Sequence, residues 1–427
     1  MFKIIKQIFA PQNKDLRNKI LFTLGALLVF KFGTVIPVPG TQEIIRDLGF
    51  LELMNAMGGG AIERFSIFAL GISPYISASI ITQILQMDII PYFSELKNQG
   101  ATGRRKINQI NRYLGIFLAF FQGYVFSFAF FGQNGTPLDY LRITVILTAG
   151  TAFVLWLSDQ ITQKGIGNGV SLIIMAGIIS SLPNMLKTAF TELVKFGSAS
   201  QTVLGVISYI IFIIIYLSII IAIIYMQQAE RRIPIQYANR TTSSYGGQQT
   251  YMPLKMNAAG VMPVIFASMF ISLPAALSQV IKSEGFINFV NKYLNYNTPI
   301  GLAFYLLLIL VFTFAYILMN LNPKELSSDL NKRGGYIPGV KPGDDTTRYI
   351  KYILIRVTVL GALFLVVIAG LPIIFTNLSK LPASVTVGGT GLLIVVGVAL
   401  ELYTQIENSL VERSYRRSYK RWKILYY

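Results

Sequence analysis

Long apolar runs without charged residues alternate with shorter polar segments along the chain. A helix needs about 20 consecutive apolar residues to cross ~30 Å of hydrocarbon. The runs predict ten membrane-spanning helices, at residues 20–38, 67–87, 113–131, 143–162, 169–190, 203–226, 258–279, 300–321, 353–375 and 386–406. We therefore expect an all-α polytopic membrane protein in which little of the chain is left for a soluble catalytic domain.

The composition agrees with this prediction. Hydrophobic residues make up 53% of the chain and charged residues only 13%, far from the balance of a soluble domain. The first apolar run starts near Ile20 behind a basic arm and lacks a small-residue cleavage site, so we expect no removable signal peptide.

Basic residues are distributed unevenly among the predicted loops. With the amino terminus inside, the cytoplasmic segments hold 28 of the 37 Lys and Arg residues, the outer loops hold eight, and Lys31 lies within span 1. Cytoplasmic loops of membrane proteins carry an excess of Lys and Arg. The bias predicts that both termini are cytoplasmic.

Isoleucine recurs at every fourth position between Ile72 and Ile80 in the second run. Residues four apart lie on one face of a helix, and here small polar residues such as Ser73 and Ser77 occupy other faces. Because lipid already satisfies apolar surface, this arrangement indicates a helix with two different neighbours. Similar patterns in later runs favour a gated opening over a solid bundle.

The sequence offers little for catalysis or ion coupling. It has no Cys and no His, which excludes thiol chemistry, zinc sites and imidazole acid–base catalysis, and no Gly-x-x-x-x-Gly-Lys-Ser/Thr motif. The glycine-rich segment 165–169 enters a membrane run, which argues against a nucleotide site. Glu401 lies toward the end of span 10, whereas ion-coupled transporters keep carboxylates near the midplane. We expect no catalytic residue, cofactor or metal; a small-solute transporter and an intramembrane enzyme are the alternatives.

Two predicted cytoplasmic loops, 227–257 and 322–351, are longer than neighbouring helices need. In a chain of net charge +18, their basic residues indicate docking of a large acidic or nucleic-acid-containing partner. Alternatively, they orient the protein and contact anionic lipid. The candidate docking residues are Arg231, Arg232, Arg240, Lys332, Arg333, Lys341 and Arg348.

Six segments in order resemble the SecY family, whose members are channel subunits of the bacterial protein translocase. They are residues 65–80, 103–106, 165–169, 230–232, 253–263 and 337–343, and the resemblance covers essentially the whole chain. One position departs from the family, which usually has arginine where this chain has Lys341. Lysine keeps the positive charge but lacks the planar guanidinium of arginine. This difference alters the strength expected for the contact with the partner that drives translocation.

The resemblance implies two inverted five-helix halves, 1–190 and 191–427, around a central pore, with a basic tail at 407–427. Spans 5 and 10, the last of each half, are both entered through glycines. These are either loop glycines or sites of close backbone packing where the halves meet. They are Gly165, Gly167 and Gly169 in one half and Gly388, Gly389 and Gly391 in the other.

The resemblance also implies a ring of aliphatic side chains at the narrowest point of the pore. Two pairs within it keep a spacing of four residues, so each pair can face one direction. The alternative is that these side chains pack as ordinary core residues. The ring residues are Ile72, Ile76, Ile174, Ile178, Ile265 and Ile394.

The segment 50–64 is too charged and too glycine-rich to span the bilayer. Its first part has an apolar helical face, and its glycines form a flexible break. The resemblance implies a re-entrant plug that seals the outer side of the resting pore; an ordinary external loop is the alternative. The plug residues are Leu53, Met54, Met57, Gly58, Gly59 and Gly60.

Ser77, Gln122 and Asn257 are polar groups in otherwise apolar helices. Because an unpaired amide in hydrocarbon is costly, we expect these side chains to hydrogen-bond to one another across a seam. A channel that releases hydrophobic segments into the membrane needs such a lateral gate, and bonds of about 0.6 kcal/mol each are weak enough to open. Ordinary interhelical contacts are the alternative.

The resemblance implies a protein-conducting channel in the bacterial cytoplasmic membrane. It would move unfolded secretory polypeptides across the bilayer and release hydrophobic segments sideways. Because the chain has no ATPase motif, the driving force must come from a docked motor ATPase or ribosome. The implied partners are SecE, SecG, the SecA motor ATPase, the ribosome, signal peptides, unfolded precursor proteins and membrane lipids.

Overall fold

The computed structural model describes residues 13–41, 52–86, 90–131, 136–195, 199–237, 250–278, 281, 283–296, 298–379 and 381–425. In chain order its helices are α1 (Lys14–Gly33), α2 (Glu52–Met57), α3 (Ser73–Leu85), α4 (Pro91–Asn98), α5 (Ala101–Phe131), α6 (Pro137–Lys164), α7 (Gly169–Leu193), α8 (Ala199–Gln228), α9 (Met262–Ser278), α10 (Glu284–Phe289), α11 (Pro299–Asn320), α12 (Pro323–Lys332), α13 (Asp344–Ser379) and α14 (Ala383–Leu425). A π-helical turn at Val290–Leu294 follows α10.

Helices lie over all ten predicted membrane runs, so the ten-helix prediction is confirmed. They are, in order, α1, α3, α5, α6, α7, α8, α9, α11, α13 and α14. Within the described ranges, six helical segments are long and apolar enough to cross a membrane. The chain is thus a multi-pass helical membrane protein, with the short helix α2 between the first two spans.

The second run becomes helical later than predicted. Residues 67–72 form turns and Gly71 has φ of +51°, so α3 starts at Ser73 instead of residue 67. Pro74 lies in the first turn of α3, where a missing N–H costs nothing because the first helical amides have no intrahelical acceptor. Ile72 is consequently the residue before α3 rather than part of it.

Polar side chains fix the starts of several membrane helices. Thr136 and Asp139 form a reciprocal capping box at the start of α6, which satisfies amides that the helix leaves unpaired. Asn168 accepts hydrogen bonds from the amides of Val170 and Ser171 at the start of α7. The first cap ends the connection between spans 3 and 4, and the second ends the connection between spans 4 and 5.

The two long loops are joined by a small antiparallel sheet that the sequence analysis did not predict. β1 (Glu230–Tyr237) pairs with β2 (Thr250–Lys255) on one side and with β3 (Gly335–Tyr336) on the other. Along β1, Ile233 and Ile235 are buried while their neighbours are exposed, the two-residue period of a half-buried strand. The all-α prediction is corrected to this extent.

The sheet has an apolar core of its own. Ile233, Ile235 and Leu254 from the sheet pack with Leu330 of α12 and with the start of α13. A separate and much larger cluster lies within the membrane helices. Residues from both long loops therefore form one packed unit, which we call the loop module (residues 229–237, 250–256 and 321–350).

Candidate functional site: a buried aliphatic cluster

Four membrane helices bring the six predicted ring isoleucines into a single buried cluster. Each side chain is at most 5% exposed. Ile72 precedes α3 and the others lie on α3, α7, α9 and α14; the full set is Ile72, Ile76, Ile174, Ile178, Ile265 and Ile394. All six lie in the large buried cluster of the membrane helices, which brings together residues more than 300 positions apart in the sequence; that they form a ring around a pore stays a prediction.

A small cavity remains beside this cluster. Its volume is about 10 Å³, and Phe30, Met57, Ile72, Ile76 and Ile174 are among the residues that line it. A cavity of that size holds about one water molecule at most. The cavity is therefore too small to hold a hydrated ion or a polypeptide.

The predicted plug lies against the constriction. Met54 and Met57 are buried in the same cluster as the ring isoleucines. At Gly177 of α7, an added Cβ would lie 2.0 Å from the carbonyl oxygen of Met57, so the plug backbone packs directly on α7. Residues 54–59, 61–62 and 65 are buried, whereas Glu63 and Arg64 are exposed, so most of this segment packs within the bundle.

Backbone geometry explains the plug glycines. Gly59 and Gly60 have φ of +73° and +83°, conformations that only glycine adopts without strain. Gly58 leads from α2 into this turn, and its N–H donates to the Met54 carbonyl. Leu53 lies in α2, but its side chain is outside the described part of the structure.

Sequence analysis missed two residues that fasten the plug. The buried Asn55 Oδ1 accepts hydrogen bonds from the amides of Ile62 and Glu63, both at 3.1 Å, which folds the segment back on α2. Lys31 of α1 donates to the Ser180 hydroxyl at 2.7 Å and to the Gly59 carbonyl at 3.3 Å. The sequence signal for Lys31 was its position as a lone lysine inside span 1.

Close backbone packing explains several of the glycines that enter spans 5 and 10. At Gly391 of α14 an added Cβ would lie 2.8 Å from Ile178 Cγ2, across the junction of the predicted halves. At Gly169 and Gly165 it would lie 1.9 Å from the Ser158 carbonyl oxygen and 2.4 Å from Thr23 Oγ1, both within the first half. The side-chain environments of Gly388 and Gly389 lie outside the described residues.

The three predicted gate residues do not bond to one another as expected. Ser77 donates to the Ser73 carbonyl of its own helix, and Asn257 donates to the Gly260 carbonyl. Gln122 Oε1 and Asn257 Oδ1 are buried without a hydrogen-bond partner among the described residues. The expectation failed because local backbone acceptors compete successfully for short polar side chains. Nevertheless α9 packs against α3, which carries Ser77, and against α5, which carries Gln122. Asn257 lies in the turn just before α9.

The predicted docking cations lie on the loop module, except for Arg240, which is outside the described residues. Arg231, Lys332, Arg333, Lys341 and Arg348 are exposed. Arg232 is also exposed, but its guanidinium pairs with Glu230 at 2.7 Å and lies over the Tyr251 ring. The hydrogen bond that Arg232 donates to the Glu230 carboxylate raises the pKa of Arg232, so this cation already has a partner within the sheet.

The turn that carries Lys341 is held by backbone contacts. The Lys341 carbonyl accepts from Thr346 Oγ1 at 2.8 Å, and the Gly343 carbonyl accepts from Ser327 Oγ at 3.0 Å. Gly339 and Gly343 have φ of +81° and +104°, which the tight turn requires. The Lys341 side chain is therefore exposed on an ordered support.

Comparison with known proteins identifies the family. A sequence profile of SecY matches residues 66–403. The protein translocase subunit SecY of Bacillus licheniformis is 44% identical over 430 residues, which covers 97% of this chain and 99% of the relative. That of Halalkalibacterium halodurans is 45% identical, with 97% and 99% covered.

Solved structures share the fold. A protein-conducting channel aligns with a TM-score of 0.68 and 20% identity over 92% of both chains. Sec61 in the canine ribosome–channel complex from the endoplasmic reticulum aligns with a TM-score of 0.65 and 20% identity, again over 92% of both. By its sequence and its fold, the chain belongs to the SecY family of protein translocase subunits.

Proposed function

We propose that this chain is a protein-conducting channel for unfolded secretory polypeptides. The observation that carries the proposal is the match of the chain to the SecY family in sequence and fold. The burial of all six predicted ring isoleucines in one cluster of the membrane helices supports it. An apolar constriction excludes water and ions by dewetting. Because aliphatic side chains offer a threading peptide no strong hydrogen bonds, such an opening can pass polypeptides of any sequence.

The segment at residues 52–65 is proposed to act as the plug of this channel. A solved relative, 20% identical, is described as a SecY protein whose plug domain stabilises the closed state and maintains a membrane seal. In this chain the corresponding role is supported by the burial of Met54 and Met57 beside the ring. Displacing the plug exposes the constriction to the outer side.

Lateral release of hydrophobic segments is proposed to occur at the seam that α9 forms with α3 and α5. The buried amide oxygens of Gln122 and Asn257 lack partners there, and an unsatisfied buried acceptor destabilises the state that contains it. The closed seam is therefore only weakly held, so a signal peptide that binds the open form better can shift the equilibrium. The seam would separate an N-terminal half, 1–190, from a C-terminal half, 191–427.

The driving force is proposed to come from a partner bound to the loop module, because the sequence has no ATPase motif. A ribosome is one candidate, since solved relatives include Sec61 in a ribosome–channel complex. A SecA-type motor ATPase is the other. We further propose SecE and SecG as membrane subunits, with the complex in the bacterial cytoplasmic membrane and both termini cytoplasmic.

Reconstituted vesicles test the function directly. With the chain, its co-purified subunits, a motor ATPase and ATP, we expect an unfolded precursor to become protected from added protease inside the vesicles. A precursor locked in its folded state is the control and should remain accessible. If the unfolded precursor stays accessible while a radiolabelled small solute accumulates, the chain is a solute transporter and the proposal is wrong.

Reversing charge on the loop module should weaken partner binding. We expect Lys341→Glu combined with Arg348→Glu to reduce motor or ribosome affinity at low salt by about tenfold or more, because exposed interfacial charges act through screened long-range attraction. Binding to vesicles that contain the complex, measured across a salt series, should also show a smaller salt dependence.

Lys187→Glu is the matched control, because Lys187 is exposed on α7 at the end predicted to lie outside. It reverses one positive charge, as each substitution of the pair does, but away from the loop module. Unchanged affinity of the double variant at low salt would contradict the docking role of these residues.

A further inference from the structure

Lys31 is an ammonium group within a predicted membrane span, and its recorded contacts are with the plug and with α7. Its Nζ lies 2.7 Å from Ser180 Oγ and 3.3 Å from the Gly59 carbonyl oxygen. Charged groups inside membrane spans are costly and are retained where they have a use. Among the described side chains, the ion pairs are Arg112–Asp159 and Arg232–Glu230, so no described carboxylate neutralises Lys31.

The residues of α7 that contact the plug, Gly177 and Ser180, lie on one face of that helix. We call this contact the plug seat. Gly177 and Ser180 are three positions apart and so lie side by side. The missing side chain at Gly177 lets the plug backbone approach, with the Met57 carbonyl oxygen 2.0 Å from an ideal Cβ. Ser180 then lies at the point where Lys31 reaches Gly59.

The plug behaves as one unit at this seat. Asn55 ties the turn at residues 62–63 back to α2 through two backbone amides, and Ile62 is fully buried. The Gly59 carbonyl is part of that folded unit. A hydrogen bond to this one oxygen therefore acts on the whole segment, and losing it weakens the attachment of the whole segment.

We propose that Lys31 is the positioning residue that fastens the plug, through its ammonium contacts with the Gly59 carbonyl of the plug and the Ser180 hydroxyl of α7. This inference rests on the proposed channel function. The fastening is charge-assisted and hence stronger than a neutral hydrogen bond. It has no described carboxylate partner, so the plug can be released without separating an ion pair.

The test uses the complex with its co-purified subunits. Lys31→Met keeps the length of the side chain and removes its charge and donors. We expect it to raise resting ion conductance in planar bilayers by roughly tenfold to a hundredfold, the loss expected when a charged hydrogen-bond partner is removed. Lys31→Arg should restore conductance to near the wild-type value, because guanidinium also donates to a carbonyl.

A second readout reports the plug itself. The chain has no cysteine, so Ala61→Cys places a single thiol at a fully buried plug position. A membrane-impermeant thiol reagent should label this cysteine roughly tenfold to a hundredfold faster in the Lys31→Met background. Lys19→Met, which removes an exposed charge from the same helix α1, is the matched control and should change neither readout.

Combining Lys31→Met with deletion of the plug distinguishes failure of the Lys31 inference from failure of the plug assignment. If Lys31 acts through the plug, the substitution adds no conductance once residues 52–62 are gone. The inference is overturned if Lys31→Met leaves labelling and conductance at wild-type values, or if it raises conductance equally without the plug. If deletion of the plug alone changes nothing, the plug assignment in the proposed function fails, and the labelling rate still decides whether Lys31 holds this segment.

Discussion

Deletion of residues 52–62 is expected to raise the resting ion conductance of bilayers containing the complex by at least about tenfold. The deletion removes Met54, Met57 and Ile62, which are all buried in the cluster around the ring. Each fully buried side chain of this type contributes about 1.5–3 kcal/mol, so the closed state loses much of its stabilisation. Single-channel recording without precursor or motor measures the effect directly.

Replacement of residues 52–62 by a Gly/Ser linker of equal length is the control for chain connectivity. It should conduct as the deletion does, because neither variant has the apolar side chains of the plug. A resting conductance equal to that of the wild type in both variants would show that this segment is not a seal.

A polar substitution in the predicted ring is expected to produce the second large effect on resting conductance. We expect Ile174→Asn to raise resting conductance about tenfold while precursor transport stays within about threefold of the wild type. An amide placed among isoleucines without a partner costs about 1–3 kcal/mol, and it retains water where the aliphatic surface excluded it. The leak rises because dewetting is lost, whereas a threading polypeptide needs only the opening.

Ile219→Asn is the matched control, since Ile219 on α8 is 3% exposed and belongs to the same buried cluster without being a ring residue. It should impair folding as much as Ile174→Asn does, but it should not raise conductance. If both variants leak equally, the leak reports general destabilisation and the ring assignment is wrong.

The membrane helices were predictable because the length and apolarity of a run are local properties of the sequence. A run such as 300–321 needs only length and apolarity to be recognised, and α11 (Pro299–Asn320) matches it closely. The start of the second span was missed because residues 67–72 are apolar but contain Gly71 in a left-handed conformation. Hydropathy does not distinguish a buried turn from a helix.

The sheet of the loop module was not predicted because the apolar–polar alternation of its strands is short and the strands that pair are far apart in the sequence. Ile233 and Ile235 show alternation over few residues, and β3 lies about a hundred positions after β1. Strand pairing of this kind depends on tertiary contacts rather than local propensity. The sequence did show that both loops exceed the length of simple connections.

Side-chain bonding at the candidate gate was predicted wrongly for a related reason. Ser77 and Gln122 are buried within apolar helices, and Asn257 is buried in the turn before α9, but their partners depend on the distances between helices. Ser77 reaches the carbonyl of its own preceding turn. The Lys31 contacts likewise required the fold, because they join residues 28 and 149 positions apart.

The pairing of β1 with β2 has a mechanical consequence for the membrane helices. β1 follows α8 directly and β2 leads through a short turn into α9, and the Met256 amide bonds the Ala229 carbonyl at their base. A load applied to the sheet therefore reaches two helices at once. One of them, α9, carries Ile265, so force on the sheet is transmitted to a helix that holds a residue of the predicted ring.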